Sequence, residues 1–202
     1  MQRPVPISLT GRSIRLDPLQ QGDVPALADT VRDGRLWENP YAMTPPPEAM
    51  ESFVARRLQA VADGSWVAFT VRRLADDKVV GLTNYLTIEP ENRRAHIGGT
   101  WYAASAQGTV VNPEAKWLLL RHAFDDLDLL GVELRAHVLN TRSRAAIEKL
   151  GAKLDGILRQ NLILPSGAVR DTAVYSILAA EWPGIRAGLE ARLDRDDAHP
   201  SV

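Results

Sequence analysis

The chain contains no cysteine. That excludes disulfides, thiolate metal sites and a cysteine nucleophile, and it fits a reducing compartment. No apolar run reaches the about 18 residues that a membrane-spanning helix needs. The opening stretch MQRPVPISLTGRSIRL lacks the apolar core of a signal peptide. A cytoplasmic location, away from any membrane, is therefore expected. Neither sign of charge dominates: 24 Lys and Arg stand against 25 Asp and Glu, for a net charge of −1. No basic run could track a phosphate backbone, so nucleic acid is not an expected partner. No set of His, Asp and Glu has metal-ligand spacing, and no metal is expected.

What remains is an ordinary globular composition, 45% hydrophobic and 24% charged over 202 residues. A chain of this length suits one domain with a sizeable core. RSIRLDPL alternates as a first strand, and GDVPALADTVRD follows as a helix with Asp23 as its cap. LWENPYAMTPPPE is a Pro-rich loop. In the next segment Met50, Phe53, Val54, Leu58 and Val61 recur at helical spacing, and Gly64 stops the helix. WVAFTVRRL, VVGLTNYLTI and RRAHIGGTWYAA form an antiparallel meander. A helix over Pro113–Leu127, a strand VELRAHVL, a helix NTRSRAAIEKL, a hairpin and a terminal helix complete the chain. This order predicts an α+β single-domain fold with a mostly antiparallel sheet. The domain is expected over residues 1–192, with a polar tail over 193–202.

The stretch ASAQGTVVNPEAKWLLLRHAF (104–124) leads a small-residue loop into a helix. Asn112 can cap that helix, and Pro113 suits its first turn. Unpaired amides at a helix start favour an anion, and Gly108 permits a turn that a side chain would hinder. No Gly-Lys-Ser/Thr follows, and one glycine stands where a dinucleotide fingerprint needs three. Taken alone, the stretch reads either as a well-capped helix or as an anion cradle.

Four stretches together carry a resemblance: QGTVVNPEAKWLLLRHAF, LNTRSRAAIEKLGA, DGILR and RDTAVYSIL with the later EW. They cover most of the chain between Arg12 and Trp182. The sequence resembles the GNAT superfamily of N-acetyltransferases, in particular the branch that acetylates ribosomal protein N-termini. The resemblance implies a mixed sheet with helices on both faces, and two parallel central strands, Arg93–Ala103 and Val132–Leu139, that splay apart. It implies acetyl-CoA as cosubstrate, lying in that opening against Thr100, Trp101 and Tyr102. Its pyrophosphate would sit on the amides of Gln107, Gly108, Thr109, Val110, Val111 and Asn112. Asn140 would hold the pantetheine arm, and Ser143 would lie near the thioester sulfur. Two positions depart from the family pattern. Val110 stands where Gly or Ala is usual, and Gln107 where Arg is usual, which suggests weaker cofactor affinity. Homodimers are common in the family.

Acetyl transfer needs a neutral amine. Deprotonation at neutral pH costs about 1 kcal/mol for an α-amine and roughly 4–5 kcal/mol for a lysine. His96 stands on the strand where many family members place a carboxylate. Alternation puts it with Gly98 and Thr100 on the face opposite Ile97, and an ordinary imidazole pKa suits a base. His96 and Ser143 are therefore the candidate catalytic residues. His137 is expected at the surface, and His122 solvent-facing or packed. Asp155, Arg159, Asp171 and Tyr175 are expected to be structural. Trp37 and Tyr41 of the Pro-rich loop are candidates for holding an amine acceptor. The expected activity is acetyl transfer from acetyl-CoA to a primary amine. The alternatives are a non-catalytic acyl-CoA-binding module of the same fold and an unrelated ligand-binding protein.

Overall fold

A computed structural model describes residues 5–164 and 166–198. Eight strands form one sheet in the order β1-β2-β3-β4-β5-β6-β8-β7. They are β1 (Leu9–Thr10), β2 (Ile14–Pro18), β3 (Val67–Arg73), β4 (Val79–Glu89), β5 (Arg94–Tyr102), β6 (Gly131–His137), β7 (Lys153–Ile163) and β8 (Val169–Leu178). Every neighbouring pair is antiparallel except β5 and β6, which run parallel. The helices are α1 (Val24–Arg32), α2 (Met50–Ala62), α3 (Val111–Arg121), α4 (Thr141–Glu148) and α5 (Trp182–Ala198). The expected element order is observed, with the short β1 added in front.

The sheet divides two apolar clusters. On one face Leu27, Val31, Met50, Phe53 and Val54 of α1 and α2 meet Ala68, Leu82 and Trp101. On the other, Ala115, Leu118 and Leu119 of α3 join Ile147, Trp182 and Leu189 against Phe69, Tyr85, Ile97, Leu134 and Tyr175. Strand alternation sends successive side chains to opposite clusters, which is why β4 and β5 are buried on both sides. α3 is enclosed almost all round, so its polar residues are buried too: Glu114 is 1% and Lys116 6% exposed. Glu114 accepts hydrogen bonds from the amides of Arg12 and Ser13 and so closes the β1–β2 turn.

One boundary and one cap differ from expectation. Helix α5 runs to Ala198, so residues 193–198, expected as tail, continue the helix; Leu193 is buried. Residues 199–202 lie outside the described part. Asp23 stands at the N-cap of α1 but makes no capping bond. Its carboxylate instead accepts from Thr70 Oγ1 and Arg72 Nη2, tying the helix start to β3.

Candidate active site

β5 and β6 pair only from Arg94↔Gly131 to Ile97↔Leu134. Beyond Ile97, β5 continues to Tyr102 and β6 to His137 without pairing, so a gap opens between two parallel strands. A bulge in β5 lies beside that gap. Asn84 pairs with Gly98 and Leu82 with Trp101, so two steps on β4 are matched by three on β5. Gly99 absorbs the extra residue at φ +59, a left-handed value that glycine adopts without a Cβ penalty.

The bulge reverses the alternation, and this corrects the expected grouping of His96 with Thr100. His96 and Gly98 face the α1–α2 side; a Cβ on Gly98 would come 2.5 Å from His96 Nε2. Thr100 faces the α3 side, where its hydroxyl meets Thr83 Oγ1 at 2.8 Å and accepts from Lys116 Nζ at 3.0 Å. Backbone direction alternates as well. The Ala103 amide donates to Val80, and the Trp101 carbonyl is turned toward Gly81. Trp101 is thus committed to β4, and only Thr100 and Tyr102 present backbone groups to the gap. The Tyr102 carbonyl already accepts from Gln107 Nε2 at 2.8 Å. The Gln107 side chain is thus folded back onto β5, and its amide, expected as a phosphate contact, donates to the Ala104 carbonyl at 3.1 Å.

The chain leaves β5 through a short 3-10 turn at Ala104–Ala106 and a loop, and enters α3 at the end of the gap. The helix begins at Val111 with Val110 as N-cap, so Asn112 is inside the first turn and does not cap it, and Pro113 takes the third position. Among the described residues, the amides of Gly108, Thr109, Val110 and Asn112 make no hydrogen bond; that of Val111 reaches Thr109 Oγ1 at 3.3 Å. Gly108 has φ +78, and a Cβ there would meet nothing within 4 Å. Val110 sits at φ −63, ψ −20, ordinary helical values, so its β-branch imposes no strain at this unusual position. The loop is therefore a set of free donors in open space at a helix N-terminus, a fit for phosphate oxygens.

On the other strand, Asn140 caps α4: its Oδ1 accepts from the Ser143 amide at 3.0 Å. That oxygen is occupied, leaving the side-chain NH2 to project. Ser143 Oγ makes no hydrogen bond among the described residues. Arg144 and Glu148 of α4 clamp the Tyr175 hydroxyl between them, giving Tyr175 the structural role expected for it. Asp155 receives Ser176 Oγ, and Asp171 receives the Gln160 amide. His122 is packed against Tyr85 and bonded to Asp126.

His96 is not poised as an ordinary base. Burial first, then Arg135, Lys116 and Arg170, push its pKa down to about 3. Holding a proton there at pH 7 would cost about 5 kcal/mol, so the ring is neutral. Its Nε2 is buried without a partner, as are Asn84 Oδ1, Trp101 Nε1 and Arg57 Nε on the same face. Across the sheet, burial alone lowers the Lys116 amine to about 7. The sequence does not reveal Lys116, because a lysine in an amphipathic-looking helix reads as solvated. Its burial follows from helix α3 being covered almost all round.

The Pro-rich loop bridges the site. Trp37 packs on the α1–α2 cluster, and the Tyr41 ring lies 4.9 Å from that of His137. His137, expected at the surface, is buried beneath it, and its Nδ1 accepts from the Leu139 amide. Among the described residues no group of three or more His, Asp or Glu could hold a metal ion, and no helix is long and apolar enough to cross a membrane.

Proteins of known structure share the fold. A curated relative, the Bacillus subtilis (strain 168) protein named "Putative ribosomal N-acetyltransferase YdaF", is 33% identical over 111 residues, 55% of this chain; the match spans 60% of that relative's length. The crystal structure of a "putative acetyltransferase" from T. thermophilus is 36% identical, with TM-score 0.81 over 94% of this chain and 98% of that one. RimJ of Mycobacterium smegmatis, solved in complex with CoA-disulfide, is 24% identical with TM-score 0.79, covering 93% of this chain and 95% of its own; at that identity the likeness concerns the fold alone. The family model described as Acetyltransferase (GNAT) domain matches residues 13–153, more than half of the chain, and the protein therefore belongs to the GNAT family of acetyltransferases.

Proposed function

We propose that the protein transfers an acetyl group from acetyl-CoA to a primary amine, and that the amine is an α-amine. The observation that carries this reading is the gap where β5 leaves β6, with free amides at its end. The amides of Gly108 to Val110 and Asn112 would hold the diphosphate. The backbone groups of Thr100 and Tyr102 would hold the pantetheine arm, with Trp101 contributing its place in the strand rather than a free carbonyl. Acetyl-CoA supplies an activated acyl thioester.

The chain's own residues do the rest. An amide turned into the gap, that of Thr100 or Tyr102, can donate to a carbonyl oxygen as negative charge builds on it. Ser143 Oγ can donate a hydrogen bond to the departing thiolate, which leaves as the CoA thiol carrying the proton that the attacking nitrogen loses as the amide forms, and the NH2 of Asn140 projects from the same helix start. With its proton on Nδ1, neutral His96 presents the Nε2 lone pair to an amine N–H and orients the nucleophile. A group with a pKa of about 3 removes no proton from an ammonium ion, so the acceptor must arrive neutral. That condition favours an α-amine over lysine by about 3–4 kcal/mol. The Bacillus relative is named a putative ribosomal N-acetyltransferase, which supports acetyl transfer to a nitrogen. Trp37 and Tyr41 wall the acceptor entrance.

The weak basicity of His96 also favours the second reading, a module that binds acyl-CoA without turnover. Release of free CoA thiol from acetyl-CoA, measured with α-amines and with lysine side-chain analogues, decides between them. Release driven by α-amines supports transfer. Binding of acetyl-CoA with no amine-dependent release would establish the second reading.

A further inference from the structure

Arg57 of α2 carries a charge that nothing in the site balances. Its guanidinium stacks on the Phe53 ring, 3.3 Å from the centroid, with Trp66 at 5.5 Å. It makes no ion pair among the described residues. Nε is buried without a hydrogen-bond partner. Burial first, and then Arg56, lower its pKa to about 9, still above neutrality. Stacking fixes the plane of the guanidinium but satisfies none of its in-plane N–H donors, so the donor edge is pre-set and empty.

That edge reaches the β5 bulge. A methyl built on Gly99 would stand 3.7 Å from Arg57 Nη2 and 2.8 Å from Asn84 Nδ2. Asn84 is oriented by its NH2, which donates to the carbonyls of Gly98 and Gly99, so Oδ1 is left as a bare acceptor. His96 Nε2 lies over Gly98 without a partner and, with the ring proton on Nδ1, is a second bare acceptor. Two unpartnered acceptors and one unpartnered cation thus meet at one bulge, on the sheet face opposite α3 and its phosphate-type loop. Acceptors suit the hydrogens of an amine, and the cation suits a carboxylate.

We infer that Arg57 recognises a carboxylate on the acceptor, held within a few bonds of the reacting amine. This rests on the proposed acetyl transfer and adds the substrate class: an amino-carboxylate head group. The carboxylate has two possible sources, the α-carboxylate of a free amino acid or the side chain of an acidic N-terminal residue in a peptide. Charge-assisted, forked hydrogen bonds from an arginine give such a site its selectivity against the neutral amide.

The test measures kcat/KM by CoA release for two matched pairs: alanine against alaninamide, and a pentapeptide beginning with Asp against the same peptide beginning with Asn. Wild type is expected to prefer the carboxylate member of one pair at least tenfold, and the pair that discriminates identifies the source. Arg57→Met, which keeps an unbranched apolar stem against Phe53, is expected to lose at least tenfold on that member and to stay within about threefold on its amide. Arg57→Lys restores part of the loss. A second readout needs no turnover: N-acetylaspartate, which carries both carboxylates, raises the melting temperature of wild type and not that of Arg57→Met. Turnover of all four amines without discrimination, equal losses on both members of a pair in Arg57→Met, or equal melting shifts would overturn this inference alone. No release with any amine would overturn it together with the proposed activity.

Discussion

Replacing Lys116 by methionine probes the burial on which the α3 face of the site depends. The amine is almost fully enclosed, its one hydrogen bond goes to Thr100, and burial lowers its pKa from 10.5 to about 7. The direction of the linkage follows from those two values. Between pH 7 and 10.5 the unfolded chain holds a proton that the folded chain has released. Folding therefore carries the full penalty below about pH 7 and sheds it as pH rises toward 10.5. Each pH unit inside that window changes stability by about 1.4 kcal/mol. From pH 8 to pH 10, wild type should gain about 2.5 kcal/mol relative to Lys116→Met, which has no proton to release there. Urea unfolding of both proteins at pH 8, 9 and 10 measures this, and the difference between them cancels titrations elsewhere in the chain. At pH 7 the methionine variant should be the more stable, because the buried charge is gone. Parallel stability curves across the three pH values would show that Lys116 is solvated and that α3 is less enclosed than described.

Other consequences can be checked separately. His96 has a folded pKa of about 3 against 6.5, so wild type should lose roughly 4–5 kcal/mol of stability between pH 6.5 and 3, a slope that acid unfolding of His96→Gln should lack. Its pH–rate profile should show no limb near 6.5 and should instead follow the pKa of the acceptor amine. Asn140→Ala removes the α4 cap and should cost about 1 kcal/mol in denaturant unfolding, with a larger loss in acetyl-CoA affinity if its NH2 holds the pantetheine arm. Glu114→Ala strips the acceptor from the Arg12 and Ser13 amides; a loss of about 2–3 kcal/mol is expected, and an unchanged unfolding midpoint would remove Glu114 as the clasp of the first turn.

Much of this architecture was legible in the residues. The meander, the helices and their order follow from period-2 and period-3.6 apolar patterns, which local sequence carries directly. The loop before α3 showed its small residues and Gly108, and its free amides are backbone groups that any sequence supplies. The bulge was not legible. The Gly98–Gly99 pair is visible, but a bulge is a relation between two strands, and only the register of β4 against β5 shows that Thr100 turns away from His96. The fate of the histidines was also non-local. His137 is buried because Tyr41, far upstream, lies over it, and His96 loses its basicity first to burial, and then to Arg135, Lys116 and Arg170, which other elements bring near it. Arg57 reads as an exposed helix residue until Phe53 and Trp66 are seen beneath it. The last turns of α5 read as tail because a run of charges gives no apolar period, although Leu193 anchors that segment.

Calorimetric titration with acetyl-CoA tests the central claim most directly. The account predicts saturable binding at one site per chain. Ligand at a hundred times Kd should then stabilise the fold by about 2.7 kcal/mol, or roughly 5–10 °C in melting temperature for a chain of this size. No heat of binding, with an unchanged melting temperature at millimolar acetyl-CoA, would contradict it.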